Sequence, residues 1–248
     1  MNICKVLIHG ETLWAEVHNG NVYRLEGNRF ARPTRGPALG PLGQTKLLPP
    51  IEAHNKVVGM LGNWGDKRGR EGPGLFIKAN STLIGTDDTI QLPKGIEAIV
   101  YEAELGVVIG RKAKHVPVAQ ALDYVLGYTV TNDVTCSTLY KAEPGSGRFK
   151  LFDTFGPMGP WITTGLDPAN LRLRSRLNGQ QKQDVQTTGF AFTVPEAIAW
   201  ATSVMTLEPG DVISMGSAPG VAQLNPGDIV ECEIVEVGTL RNPVTRPA

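Results

Sequence analysis

"VYEAELGVVIG", residues 100–110, sets two carboxylates, Glu102 and Glu104, at the head of an otherwise apolar run. Its β-branched and apolar content predicts a strand, placed over 97–110. Residues i and i+2 of a strand project from one face, so the two acids point together with Cα atoms roughly 6.5–7 Å apart. Like charges that close repel, and burying either without a partner is costly. A divalent cation removes both penalties, whereas a wet strand edge merely avoids them. The chain supplies its own contrast. Glu231 and Glu233 in "IVECEIVEV" repeat the spacing, but there Val230, Cys232 and Ile234 alternate with acids and Glu236 continues the polar face. That is a half-exposed strand. After Glu104 comes "LGVVIG", apolar on both faces, as in a strand buried on both sides.

The totals bound the class. The chain has 248 residues, 24 basic and 24 acidic, with 41% hydrophobic and 19% charged residues, an ordinary globular composition. With zero net charge and no basic block, neither nucleic acid nor an anionic membrane is an expected partner. Cys4, Cys136 and Cys232 are too few and too scattered for a disulfide framework or a thiolate zinc site. The start, "MNICKVLIHGETLW", lacks a signal-peptide pattern, and no apolar run approaches a membrane span, so a cytoplasmic location is expected.

Twenty-nine glycines and 18 prolines act as turn punctuation, which predicts many short strands. Residues 1–30 alternate apolar and polar positions, with a hairpin signal at Asn19-Gly20. The Gly/Pro-rich "RPTRGPALGPLGQTKLLPP" to Pro50 reads as a linker from residue 32. The division expected is a small N-terminal β-domain with its linker, 1–46, and a main domain, 47–248. Further strands are predicted over 74–79, 126–133, 157–164, 170–177, 211–216 and 228–237. "LRLRSRLNG" is the clearest, with Leu171, Leu173, Ser175 and Leu177 facing one way and three arginines the other. Helices are predicted over 117–124 and 195–205, each opened by proline. "EPGD" at 208–211 and "NPGD" at 225–228 read as shared turn chemistry. The fold class is α+β, β-rich, with one wrapped or barrel-like sheet.

Asp133 closes "LGYTVTNDVT", another core-strand pattern, and could add a third oxygen ligand from a neighbouring strand; alternatively it caps the helix "STLYKA". Lys150, in "GRFKLFDTFGPMGPW", reads by itself as a surface lysine. Together the segments "YEAELGVVIG", "DYVLGYTVTNDVT", "FKLFDTFGPMGPWI", "MTLEPGDVISMG" and "PGDIVECEIVEVGTLRNPV" resemble the fumarylacetoacetate hydrolase family in order and spacing, over about residues 47–244. The resemblance implies a mixed β-roll, a homodimer and bound Mg²⁺ or Mn²⁺. Residue by residue, Glu102, Glu104 and Asp133 match the family's carboxylate ligands, Lys150 its active-site lysine and Thr154 a nearby hydroxyl.

Three hard oxygen ligands favour Mg²⁺ or Mn²⁺ over softer metals. Such a site can polarise a 2-oxo acid and accept electrons as a metal-held enolate. That chemistry serves acylpyruvate hydrolysis, decarboxylation of a 2-oxo dicarboxylate, and keto–enol isomerisation. Hydrolytic family members resemble one another in a lid pattern, N-Y-x-x-H followed by an acid, that activates water. In the matching stretch, "LGNWGDKRGREGPGLF", Asn63 and Trp64 fit, Lys67 stands at the histidine and Arg70 at the acid. Asp66, Arg68 and Glu71 complete the polar residues of a lid over 62–74, more suited to holding a substrate carboxylate than to deprotonating water. Tyr140 and Ser137 replace the family's glutamine and arginine, and Ser217 in "MGSAPG" keeps one hydroxyl of its T-G-T-P turn. The expectation is a divalent-metal-dependent enzyme decarboxylating or isomerising a 2-oxo dicarboxylate. Lys150, Lys67 and Glu71 are the catalytic candidates; Lys150, Thr154, Arg70, Ser217 and Tyr140 are the substrate-binding candidates. The alternatives are an acylpyruvate C–C hydrolase and a non-catalytic descendant binding a metal and a small acid.

Overall fold

The N-terminal alternation folds as an antiparallel meander of β1 (Asn2–Ile8), β2 (Glu11–His18), β3 (Asn21–Glu26) and β4 (Thr34–Pro41). His9 and Asn19 adopt left-handed φ of 50° and 48°, each before a glycine with positive φ, as tight hairpin turns require. The computed structural model describes residues 1–67, 69–143 and 145–247; Arg68 of the expected lid lies outside them. The Gly/Pro-rich stretch predicted as a linker is instead β4, followed by β5 (Lys46–Leu48) paired with β1. Its prolines, Pro37 and Pro41, are tolerated because β4 is the outermost strand of its sheet, where one row of backbone donors needs no partner. Register slips flanking Tyr23 absorb the irregularity.

β6 (Val57–Leu61) and β7 (Gly74–Lys78) form a hairpin around the expected lid. Short strands β8 (Leu83–Ile84), β9 (Ile90–Gln91) and β10 (Ile99–Val100) lead into β11 (Ala103–Ile109), β12 (Val125–Asn132) and β13 (Thr135–Cys136). Then come α1 (Ser137–Ala142), β14 (Gly156–Thr163), the hairpin β15 (Arg172–Leu177)–β16 (Gln180–Gln186) and α2 (Val194–Val204). β17 (Val212–Ser214), β18 (Ile229–Ile234) and β19 (Gly238–Thr245) complete the chain. One sheet runs β4-β3-β2-β1-β14-β12-β11-β17-β6-β7, a second runs β16-β15-β18-β19-β9, and β10 pairs with β13 as a separate two-stranded sheet. The first path has two free ends, so the β-rich α+β fold is built of open mixed sheets and not a closed barrel. Through β1 and β14 the N-terminal strands extend the main sheet, with Asn2 opposite Thr163.

β11 is the centre of this arrangement, and all seven of its residues are buried. Leu105, Val107 and Ile109 pack with Leu173, Val230 and Ile234 of the second sheet, while Val108 packs with Ile3, Met158, Ile162 and Val212 on the other side. Two cores therefore meet across one strand, which explains the absence of alternation in "LGVVIG". By contrast, β18 alternates half-buried and buried positions, and Glu231 and Glu233 stand opposite Arg176 and Arg174.

Two predicted elements differ. Residues 118–124 form a 3₁₀ segment that buries only Ala121, too little apolar surface to reward an α-helical stripe. The strand over 97–110 is broken at Tyr101–Glu102. There the Asn132 side-chain oxygen accepts from the Glu102 N–H at 3.1 Å, replacing a ladder bond and letting the chain bend.

The two Pro-Gly-Asp turns do share their chemistry. Asp211 and Asp228 each accept from the backbone N–H three residues earlier, at 2.8 and 2.7 Å. Asp211 is buried and also accepts from the Lys56 N–H at 2.8 Å, from Asn55 at 3.2 Å and from the Lys56 ammonium, which pins β6 beside β17. Asp228 adds only an exposed bond to Asn178. Asp211→Ala should therefore cost about 2–4 kcal/mol in urea unfolding, against under about 1 kcal/mol for Asp228→Ala; equal losses would refute the anchoring role of Asp211.

Candidate active site

Pairing of β11 with β12 sets Ala103 opposite Asn132, so Glu102, Glu104 and Asp133 arrive at the same end of the two strands. The Asp133 N–H donates to the Glu102 carbonyl at 2.9 Å, locking the two segments together. One oxygen from each carboxylate lies within 4.8 Å of the others. Glu104 and Asp133 are buried, and Glu102 faces a cavity of about 240 Å³ that Met60, Phe76, Thr135, Tyr140 and Phe149 also line. Asp133 does not cap α1, whose N-cap is Cys136 with no side-chain cap bond.

Two buried lysines answer the acids. Lys150, at the end of a 3₁₀ turn, donates to Glu102 at 2.6 Å, to Thr135 at 2.6 Å and to Asp133. Lys78, the last residue of β7, donates to the other Asp133 oxygen at 2.5 Å. Burial alone would push the Asp133 carboxyl up, but Lys150 and Lys78 overcome it and hold it below the usual carboxylate range. Burial likewise works against charge on Lys150, yet Asp133, Glu102 and Glu104 raise it well above an ordinary lysine, so it stays an ammonium. Glu104 differs. Its bonds come from Ser214 Oγ at 2.6 Å and the Gly216 N–H at 2.9 Å, and among the described residues no ammonium or guanidinium donates to it. Burial, with repulsion from Asp133 and Glu102, outweighs the attraction of the nearby Lys150 ammonium and pushes its carboxyl up to about 8. A buried acid held by two neutral donors and without a direct ion pair fits a divalent cation on the all-oxygen set Glu102, Glu104 and Asp133.

The other predicted residues divide. Tyr140 and Ser217 line the cavity, Tyr140 with its ring edge against Phe149 at 5.0 Å. Arg70 lines an adjoining cavity of about 610 Å³ that shares Gly62, Glu102 and Ser217 with the first. Its guanidinium donates to the Gly62 carbonyl at 2.6 Å and the Lys67 carbonyl at 3.1 Å, folding the loop upon itself. Lys67 turns away to Glu196 on α2, at 2.6 Å. Glu71 is exposed and lines neither cavity. Thr154 accepts from the Gln91 N–H at 2.8 Å and is not brought to the carboxylates. The expected lid is seated on the segment before α2. Asn63 is buried and bonded to Phe192 and Met215, and Trp64 bridges to Phe190.

Sequence reading missed Lys78, Thr135, Ser214 and Gly216. A lysine ending the strand pattern "GLFIK" was a usable signal for the first. The others look like ordinary strand and turn residues, and only the fold reveals their partners.

Comparison with known proteins agrees with this geometry. Residues 52–245 match the fumarylacetoacetate (FAA) hydrolase C-terminal family. The mitochondrial oxaloacetate tautomerase fahd2 of Xenopus laevis is 37% identical over 216 residues, covering 80% of this chain and 68% of that protein. The crystal structure of 2-hydroxyhepta-2,4-diene-1,7-dioate isomerase from Mycobacterium marinum superposes with a TM-score of 0.94 at 36% identity, covering 100% of this chain and 99% of that one. Maleylpyruvate hydrolase from Sphingobium sp. SYK-6, in complex with manganese(II) and pyruvate, superposes with a TM-score of 0.84 at 26% identity, with both chains fully covered. All three are enzymes, which supports an enzyme over the non-catalytic descendant. Among the described residues no helix is long and apolar enough to cross a membrane. The matched span, the shared fold and the converging acids lead to one conclusion: the chain belongs to the fumarylacetoacetate hydrolase family.

Proposed function

We propose that the protein is a divalent-metal-dependent isomerase that interconverts keto and enol forms of a 2-oxo dicarboxylate. The observation that carries this reading is the converging set of half-buried Glu102 and buried Glu104 and Asp133, facing a cavity with the Lys150 ammonium at its wall. Mg²⁺ or Mn²⁺ held by the three carboxylates would supply Lewis acidity beside the substrate's 2-oxo oxygen. Lys150, fixed by Glu102, Thr135 and Asp133, would offset negative charge on the 2-oxo oxygen while a proton passes from C3 to solvent water and one from water reaches that oxygen. Tyr140 and Ser217 present hydroxyls along the wall for the substrate's oxygens. Isomerisation moves one proton and consumes no water. Hydrolysis needs an activated water, and Lys67, at the position where hydrolytic members carry histidine, is committed to Glu196.

The test follows ketonisation of enol-oxaloacetate with Mg²⁺ or Mn²⁺, alongside CO₂ release and cleavage of fumarylpyruvate. Metal-dependent ketonisation is the expected result; cleavage of fumarylpyruvate without ketonisation would overturn the proposal. Glu104→Ala should weaken Mn²⁺ binding by about 100-fold or more and abolish turnover, while Glu233→Ala on β18 stays within about twofold of wild type.

Protonation of Glu104 adds a pH signature. Its carboxyl is raised from an unfolded value of 4.5 to about 8, so the metal-free fold loses stability as pH rises between those values, and a cation restores it. Mn²⁺ affinity measured by calorimetry should therefore climb by about tenfold per pH unit from roughly 6 to 7.5 and flatten above about 8. A flat profile over that range would show that no proton leaves Glu104 when the ion binds.

A further inference from the structure

We infer that Gln183 is a positioning residue for the active site, holding the turn that carries Ser217; this rests on the isomerase reading above. Gln183 lies on β16, "QQKQDVQ", a strand polar at every position but Val185, yet its side chain is buried. Its amide nitrogen donates to the Ala218 carbonyl at 2.7 Å and lies 3.4 Å from both the Pro219 carbonyl and Ser217 Oγ. Carbonyls only accept, so they orient the amide with its oxygen toward Ser175. Ser175 Oγ donates to that oxygen at 2.7 Å and must then receive the Tyr101 hydroxyl proton, at 3.0 Å. Tyr101 immediately precedes Glu102. The result is a buried line of hydrogen bonds from the hydroxyl of the residue before the first carboxylate to the turn at 217–219.

The same turn is gripped from two more sides. The Gly216 N–H donates to Glu104, and the Tyr101 N–H donates to the Ala222 carbonyl at 3.3 Å. Gly220, at φ +104°, packs so closely on β16 that a Cβ there would lie 2.8 Å from the Lys182 carbonyl oxygen. Ser217, at the middle of this clamp, lines both cavities. A polar strand on the outside of the second sheet thus sets the distance between Glu102 and the opposite wall. An apolar side chain at 183 leaves two carbonyls and Ser175 without their partner, and the turn is free to shift.

The experiment measures oxalate binding, as a 2-oxo acid mimic, at Mn²⁺ concentrations saturating each protein, together with KM and kcat for ketonisation. Gln183→Met should raise the oxalate Kd and KM about tenfold while kcat falls less than about threefold, a split that general loss of stability does not produce. Ser175→Ala, which removes the donor to the amide oxygen together with the acceptor for the Tyr101 hydroxyl, should shift both in the same direction by about threefold, and exposed Gln181→Met should change neither. If Gln183→Met fails to fold, Ser175→Ala carries the test. Wild-type oxalate affinity in Gln183→Met, or in Ser175→Ala where that variant stands in, overturns the positioning role. Failure of the wild-type protein to bind oxalate with Mn²⁺ overturns the isomerase reading, and this inference with it.

Discussion

Three carboxylates crowd into one buried corner, and much of the surrounding structure answers their charge. Asp133 is satisfied twice over, by Lys78 and Lys150, and Glu102 by Lys150 and Thr135. Glu104 receives only a hydroxyl and a backbone N–H. Desolvation of an acid without a direct ion pair favours its neutral form, so the corner carries an uncompensated acid as protein alone. A hard dication on Glu102, Glu104 and Asp133 would compensate it. In the proposed function, that positive charge would act on a substrate oxygen as well as on the acids.

Holding such a corner in place demands a stiff frame. β11 supplies it by being buried on both faces, so any movement of Glu104 would disturb two cores at once. β17, aligned beside β11 and tied to β6 through Asp211, brings Ser214 and Gly216 to Glu104. β7 brings Lys78 from the far edge of the same sheet. Each ligand is therefore supported by strands distant in sequence, which is how a low-dielectric site keeps acids close together despite their repulsion.

The lid shows how a family pattern can persist with altered chemistry. Asn63 and Trp64 keep the anchoring half of the motif, and both are seated against the segment before α2. Lys67 and Arg70, at the motif's chemical half, bind Glu196 and loop carbonyls. The loop's attachment is in place, and the side chains at 67 and 70 are both basic and committed to Glu196 and to loop carbonyls. That arrangement supports the proposed isomerisation over hydrolysis.

Periodicity and residue chemistry alone determined a good deal. The double-faced apolar run after Glu104, the alternating "LRLRSRLNG", the proline-opened helix before residue 205 and the contrast between the two Glu-x-Glu pairs follow from local rules of side-chain direction and desolvation. Those rules act over a few residues and can be read along the chain. The linker that became β4, the break at Tyr101–Glu102, the entry of Lys78 and Thr135 into the site and the withdrawal of Lys67, Glu71 and Thr154 were decided only by tertiary structure. In each case the deciding partner lies far away in sequence or on another strand: β3 for β4, Asn132 for Glu102, Asp133 for Lys78, Glu196 for Lys67 and Gln91 for Thr154. A polar side chain goes where its hydrogen bonds and charge are satisfied, and that place exists only once the sheets have paired.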